Sequence, residues 1–176
     1  MSFDEQLSRM AALCSVSEHC ESEIREKLQK AAMPEHDIQR IIDALYDGGF
    51  LDTARYCRAF SRDKLRFAHW GRIKIQQALR QKGLPDADIR QALRDLDEEL
   101  GDDYRRILAD TLRQKARSLG VRLADGRDDG DDRGSARGYD DDDDDEDADH
   151  YVRRQKLIRF AASRGFTLDE IMEMLR

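Results

Sequence analysis

The chain is poor in most of what marks a secreted, membrane-bound or catalytic protein. It has two prolines, three cysteines and one tryptophan in 176 residues, and aromatics make up 7%. So few prolines leave helices free to run. Cys14, Cys20 and Cys57 are too sparse and odd in number for a disulfide scaffold, and suit a reducing cytoplasm. No apolar run is long enough to cross a bilayer. Met1-Ser2-Phe3-Asp4-Glu5 has neither the basic nor the apolar stretch of a signal peptide, so a cytoplasmic location is expected. A Gly-rich phosphate loop, a nucleophile elbow and metal-spaced carboxylates are all missing, which argues against an enzyme and against a cofactor. Cys14, His19 and Cys20 have no fourth ligand at zinc spacing. The Asp run lacks the spaced ligands and turn glycine of a calcium loop.

What the chain does have is charge, at 39% of residues, and internal repetition. Leu28-x4-Met33-Pro34-Glu35-x2-Ile38 recurs as Leu79-x4-Leu84-Pro85-Asp86-x2-Ile89, at an offset of 51 residues. Ile24 then falls on Ile75 and Ile42 on Leu93. A third copy lies near the C-terminus, where Gly83-Leu84 falls on Gly165-Phe166, Ile89 on Ile171 and Leu93 on Leu175, all at an offset of 82. A period this long in a helix-rich sequence predicts stacked helical units, each too small to bury a face alone. The expected fold is all-α: three tandem three-helix repeats in an elongated curved array, with units at 1–50, 51–100 and 101–176.

The pattern predicts helices near Phe3–Leu13, Glu21–Ala31 and Glu35–Tyr46 in the first unit. In the second they fall near Thr53–Phe67, Gly71–Gln81 and Asp86–Leu96. The third unit is expected to use Asp103–Leu119, Ala148–Arg164 and Thr167–Leu175. Pro34 and Pro85 stand where a helix begins and a missing N–H costs nothing. Asp52 or Thr53 is a plausible N-cap, and Thr167-x-x-Glu170 reads as a capping box. Residues 121–150 carry 14 acidic and 4 basic side chains, a net of −10, which leaves +3 on the remainder of a chain whose total is −7. The stretch from about 124 to 149 is expected to be a disordered acidic insertion splitting the third repeat.

Between Arg55 and Lys82 there are nine basic residues and one acid, Asp63. On a helical wheel Arg55, Arg58, Arg62 and Arg66 share an arc of about 80°. Tyr56, Phe60 and Phe67 fall together on another face and are expected to be buried. Same-sign ridges of this kind suit phosphates or carboxylates. The expected binding set is Arg55, Arg58, Arg62, Arg66, Arg72, Lys74, Arg80 and Lys82. Arg106, Arg113, Arg117, Arg153, Arg154 and Lys156 extend it along the third unit. Trp70 is either a core residue or an aromatic able to stack on a base.

His69-Trp70-Gly71-Arg72-Ile73-Lys74, Leu79-x3-Gly83-Leu84 and Phe50-Leu51-Asp52-x2-Arg55-Tyr56, set in tandem three-helix units, resemble the bacterial RecX family over about 10–120 and 150–175. The first repeat departs from this pattern, with His19 and Cys20 where the second has Trp70 and Gly71. The acidic insertion is also foreign to it. The resemblance implies a regulator of the RecA recombinase acting in DNA repair, homologous recombination and the SOS response. It implies binding to RecA and the RecA–DNA filament, and to single- and double-stranded DNA without strong sequence preference, as a monomer. Two other readings compete. One is a DNA-binding transcription regulator of helix-turn-helix type. The other is a DNA mimic acting through the acidic insertion.

Overall fold

The computed structural model describes residues 2–121, 123 and 143–176, with side chains of the last stretch from 148 onward. Among these residues every regular element is a helix: α1 Phe3–Val16, α2 Glu21–Lys30, α3 Glu35–Asp47, α4 Thr53–Arg66, α5 Arg72–Gln81, α6 Asp86–Leu119, α7 Asp143–Ser163 and α8 Leu168–Met174. Local chemistry sets several of the starts. Ser2 and Glu5 exchange capping bonds at α1, as do Thr167 and Glu170 at α8. Asp52 accepts from the Arg55 N–H at 2.9 Å to begin α4. Pro34 and Pro85 take the extended N-cap positions of α3 and α6.

The repeat is visible in backbone geometry as well as in sequence. After α2, α5 and α7 the chain turns through a residue of positive φ: Ala32 at 55°, Gly83 at 78° and Gly165 at 92°. Each turn closes with the same pair of bonds. Ala32, Gly83 and Gly165 donate to Gln29, Arg80 and Ala162, each at 2.9 Å. Met33, Leu84 and Phe166 donate to Leu28, Leu79 and Ala161, at 3.1, 3.3 and 3.3 Å. This is the Schellman closure, which satisfies carbonyls that the helix end leaves open.

The span α6 is two helices meeting at a kink, where Leu100 leaves helical geometry (φ −130°, ψ 20°), as expected of separate helices near Asp86–Leu96 and Asp103–Leu119. Leu96, Leu100, Tyr104, Leu108, Leu112 and Ala116 are buried on both sides of the kink, so the two helices pack into one core. One expectation needs correction: 143–149 belong to α7 rather than to a disordered insertion, while 124–142 lie outside the described residues. Asp149 pairs with Arg153 one turn on.

The buried side chains form two clusters. Met10, Ile24, Leu28, Ile41 and Leu45 belong to one, inside α1–α3. The other runs without interruption from Tyr56 and Leu65 through α5 and α6 to Leu157, Phe166 and Ile171, so the second and third units share a core. Packing of α4 on α6 is the most extensive helix pairing. The first unit joins this body through Cys20, which is buried in the larger cluster, and through a polar knot. Glu23 of α2 accepts from Tyr56 Oη at 2.8 Å, from Lys82 Nζ at 2.7 Å and pairs with His19 Nδ1 at 3.0 Å. Burial would raise the Glu23 carboxyl, but the bonds from Lys82, Tyr56 and His19 outweigh it and hold it at about 2. Burial and the bond to Glu23 push the Tyr56 hydroxyl well above its usual range.

The sign of the pH dependence follows. A carboxyl held below its ordinary 4.5 contributes stability that is full above that value and fades as pH falls toward 2. Glu23→Gln is expected to cost about 1–3 kcal/mol at neutral pH, the range for a buried bonding partner left unsatisfied. The gap from the unsubstituted chain should close between pH 4.5 and 2. Thermal unfolding at pH 7, 4 and 2 checks this, and a gap that stays constant refutes it.

Candidate nucleic-acid interface

α4, the turn after it and α5 bring three aromatic rings and three lysines together. Tyr56 stacks on Phe60 with ring centroids 5.8 Å apart, and Phe60 meets Trp70 edge-on at 6.4 Å. Lys64 Nζ lies 5.3 Å from the Phe60 centroid and 4.8 Å from that of Trp70. Lys74 Nζ sits 4.5 Å from the Trp70 centroid, and Lys82 Nζ lies 5.8 Å from that of Phe60. Helix periodicity supplies part of this arrangement, since Tyr56, Phe60 and Lys64 are four residues apart on α4. The turn supplies the rest. His69 adopts φ 54°, and the Trp70 N–H donates to the Lys64 carbonyl at 3.0 Å, which folds the indole back over α4.

The electrostatic character of this strip differs from that of an ion-paired surface. A ring quadrupole attracts a cation without cancelling its charge. Lys64 and Lys74 have no carboxylate partner among the described residues. They are thus held in position without a compensating negative charge. Lys82 differs, because its charge is shared with Glu23.

A close backbone contact fixes the α5 end of the strip. The Gly71 N–H donates to the Arg164 carbonyl at 2.8 Å and the Ile73 N–H to the Gly165 carbonyl at 3.0 Å. A Cβ on Gly71 would stand 2.4 Å from Gly165 C and O, and one on Gly165 would stand 2.4 Å from Lys74 Cβ. Arg72, next in sequence, bonds Asp97 at 3.0 and 2.8 Å, and its Nε lies 2.9 Å from Glu170 Oε1. The Arg72 N–H donates to Tyr104 Oη at 3.2 Å, and Tyr104 donates to Glu170 at 3.1 Å. Burial holds the Tyr104 hydroxyl up at about 12, so it stays a donor. Burial would lower Arg72, but bonds to Tyr104 and Asp97 and the Glu170 charge raise it.

The arginine ridge on α4 is largely spent on internal contacts. Arg55 reaches Glu18 at 2.5 Å, Arg62 pairs with Glu99, and Arg66 approaches Asp103 at 3.9 Å. Only Arg58 of the four lacks a carboxylate partner among the described residues, and it is half-buried. Arg80 bonds Asp86 at 3.0 Å. On the third unit Arg106 pairs with Asp103 at 2.6 Å, Arg113 with Asp110 at 2.8 Å and Arg153 with Asp149. Arg154 donates to the Leu175 carbonyl at 3.2 Å, while Arg117 and Lys156 are exposed. The ridge is therefore a set of struts, and the strip gathers Trp70, Lys74 and Lys82 from the expected set. Lys64 and Phe60 were not in that set. Their i,i+4 spacing, one turn before Trp70, was the available signal. Phe67, expected in the buried aromatic face, is 81% exposed. Its N–H still bonds the Asp63 carbonyl at 2.9 Å, so it keeps the phase of α4 and is nonetheless left in solvent.

The architecture is that of a tandem three-helix repeat protein, and comparison with known proteins identifies which. Residues 52–93 match the family model for the second three-helix domain of RecX. The chain is 38% identical to the regulatory protein RecX of Ectopseudomonas mendocina over 104 residues, covering 57% of this chain and 69% of that one. It is 32% identical to the regulatory protein RecX of Pseudomonas fluorescens over 159 residues, covering 90% and 81%. Its match to the Prosthecochloris aestuarii protein of the same name, at 33% identity, spans 60% of that protein's length. The crystal structure of RecX from Lactobacillus salivarius superposes with a TM-score of 0.68 at 16% identity, covering 98% of this chain and 93% of that one. The chain belongs to the RecX family.

Two substitutions separate the strip from the struts. Lys64→Ala with Lys74→Ala is expected to weaken nucleic-acid binding. The loss of two phosphate contacts should lower the magnitude of the salt-dependence slope by roughly 1.4–1.8. Arg62→Ala with Arg66→Ala should leave that slope nearly unchanged and lower stability by about 0–1 kcal/mol per exposed pair. Binding isotherms across a salt series decide between them. Gly71→Ala forces two backbones apart and is expected to cost about 1–3 kcal/mol in overpacking strain, measured by denaturant unfolding.

Proposed function

We propose that this chain is a non-enzymatic modulator of the RecA recombinase, acting as an inhibitor. Its helical array lies in the groove of the RecA–DNA filament and meets phosphates or acidic RecA surfaces through the strip on α4 and α5. Occupying the groove excludes duplex DNA and hinders addition of RecA monomers, so that ATP hydrolysis and strand exchange fall together. Membership of the RecX family, whose curated members bear the name regulatory protein RecX, supports the regulatory part of this reading. The observation that carries the contact surface is the pair Lys64 and Lys74, ordered over Trp70 without a compensating carboxylate. Side chains ordered before contact lose less entropy on binding.

Contact to the backbone rather than to bases follows from the same residues. Lysine is a point charge on a flexible stem, suited to phosphate and poor at bidentate base reading. The test is RecA ATPase and strand exchange on single-stranded DNA with this chain titrated in. Both activities should fall as the chain approaches stoichiometry with filament. The Lys64→Ala, Lys74→Ala variant should need about tenfold more protein for the same effect, equivalent to about 1.4 kcal/mol. No inhibition by the unsubstituted chain refutes the function, and equal inhibition by the variant refutes the site.

A further inference from the structure

A groove of about 490 Å³ lies between α1 and α2. Met10, Leu13 and Val16 line it, with Arg9, Lys27 and Lys30 at its edge and no acidic side chain among its lining residues. Met10 is 4% exposed at the bottom, whereas Val16 is 87% exposed at the lip. Lys30 is paired with Glu26 at 2.5 Å, while Arg9 and Lys27 have no carboxylate partner among the described residues.

The repeat gives this groove its meaning. At the offset of 51, Arg9 falls on Phe60, Leu13 on Lys64, Val16 on Phe67 and Lys27 on Ala78. The groove is therefore the first unit's counterpart of the face that carries the aromatic–lysine strip in the second. The same face has been given different chemistry. In the second unit it offers rings and cations, and in the first it offers aliphatic side chains framed by cations. An aliphatic floor has no π-face on which a base can stack. Two unpaired cations at its edge are also few for tracking a phosphate backbone. Apolar anchors between helices, framed by one sign of charge, suit a helix of the opposite sign laid in the groove.

We propose that this groove docks an amphipathic helix of a partner protein, with apolar side chains at i, i+3, i+4 and i+7 facing Met10, Leu13 and Val16. Aspartate or glutamate residues flank that stripe and pair with Arg9 and Lys27. The proposal stands independently of the reading of the strip as a DNA or RecA contact. Docking here leaves the strip uncovered, so one molecule can hold a nucleic acid and a protein helix at once.

The test uses the full chain and a fluorescently labelled, Glu-rich synthetic helix with leucines at i, i+3, i+4 and i+7. Saturable binding by anisotropy is expected, with methyl chemical-shift changes at Met10, Leu13 and Val16. Val16→Asp should weaken it about tenfold or more, and Lys27→Glu severalfold. Because Val16 is exposed, its substitution should leave the thermal midpoint unaltered. Neither variant should change affinity for single-stranded DNA. A peptide with the same composition but scattered leucines should bind weakly, as should one with lysine in place of glutamate. The proposal is overturned if the scattered peptide binds equally well or if shifts map to Phe60 and Trp70. It is also overturned if Val16→Asp abolishes a concentration-dependent dimer of the chain, which would make a second copy the occupant. Absence of saturable binding overturns it as well.

Discussion

The second and third units are held together by a place where two backbones touch. At Gly71 and Gly165 side chains are excluded from both strands of the contact, and two main-chain hydrogen bonds take their place. This approach seats the N-terminus of α5 against the turn between α7 and α8. It brings Arg72 within reach of Tyr104, Asp97 and Glu170, and it fixes the helix from which Lys74 reaches Trp70. The three turns of positive φ make the logic plain. Ala32 and Gly83 share the conformation, and nothing approaches the Gly83 α-carbon on its open side. Gly165 meets a second demand, close approach, which alanine cannot meet at any φ.

Positive charge on this protein divides by partner. Arginine, with its planar fork, is used for bridging between helices, and most of the ridge on α4 is consumed in that way. Lysine on α4 and α5 is laid over rings instead. The distinction matters because a carboxylate partner both orders a cation and neutralises it, whereas an aromatic partner only orders it. Counting basic residues overstates the surface field of the former and describes the latter well. Lys82 stands between the two classes, since it packs on Phe60 and ties Glu23 to the second unit.

Much of the fold was legible in the sequence. The offsets of 51 and 82 residues marked the equivalent turns, and the same hydrogen bonds close all three. Thr167 and Glu170 formed the expected capping box, and Asp52 the expected cap. The break anticipated between Leu96 and Asp103 falls at Leu100, where the backbone leaves helical geometry. The site was harder to read. A helical wheel ranks residues by face within one helix, but Arg62 finds Glu99 at a sequence separation of 37 residues and Lys82 finds Glu23 at 59. Only tertiary packing reveals which cations have been claimed. Phe67 shows the companion error, since sharing a face with Tyr56 and Phe60 on the wheel does not place another element over it.

The separation of the two buried clusters has its own consequence. One core is built on α1–α3 with Leu51, and the other passes through α4, α5, α6, α7 and α8 without a gap and takes in only Cys20 from the first unit. Cooperativity follows shared apolar contact, so the molecule is two cooperative blocks of unequal size joined by polar bonds and this single buried side chain. Opening of the small block need not spread to the large one. Nucleation in either can proceed without the other, as expected for repeat chains. Selection therefore acts on the blocks with some independence. The N-terminal block is free to drift in its outward chemistry while the glycine contact pins the geometry of the rest.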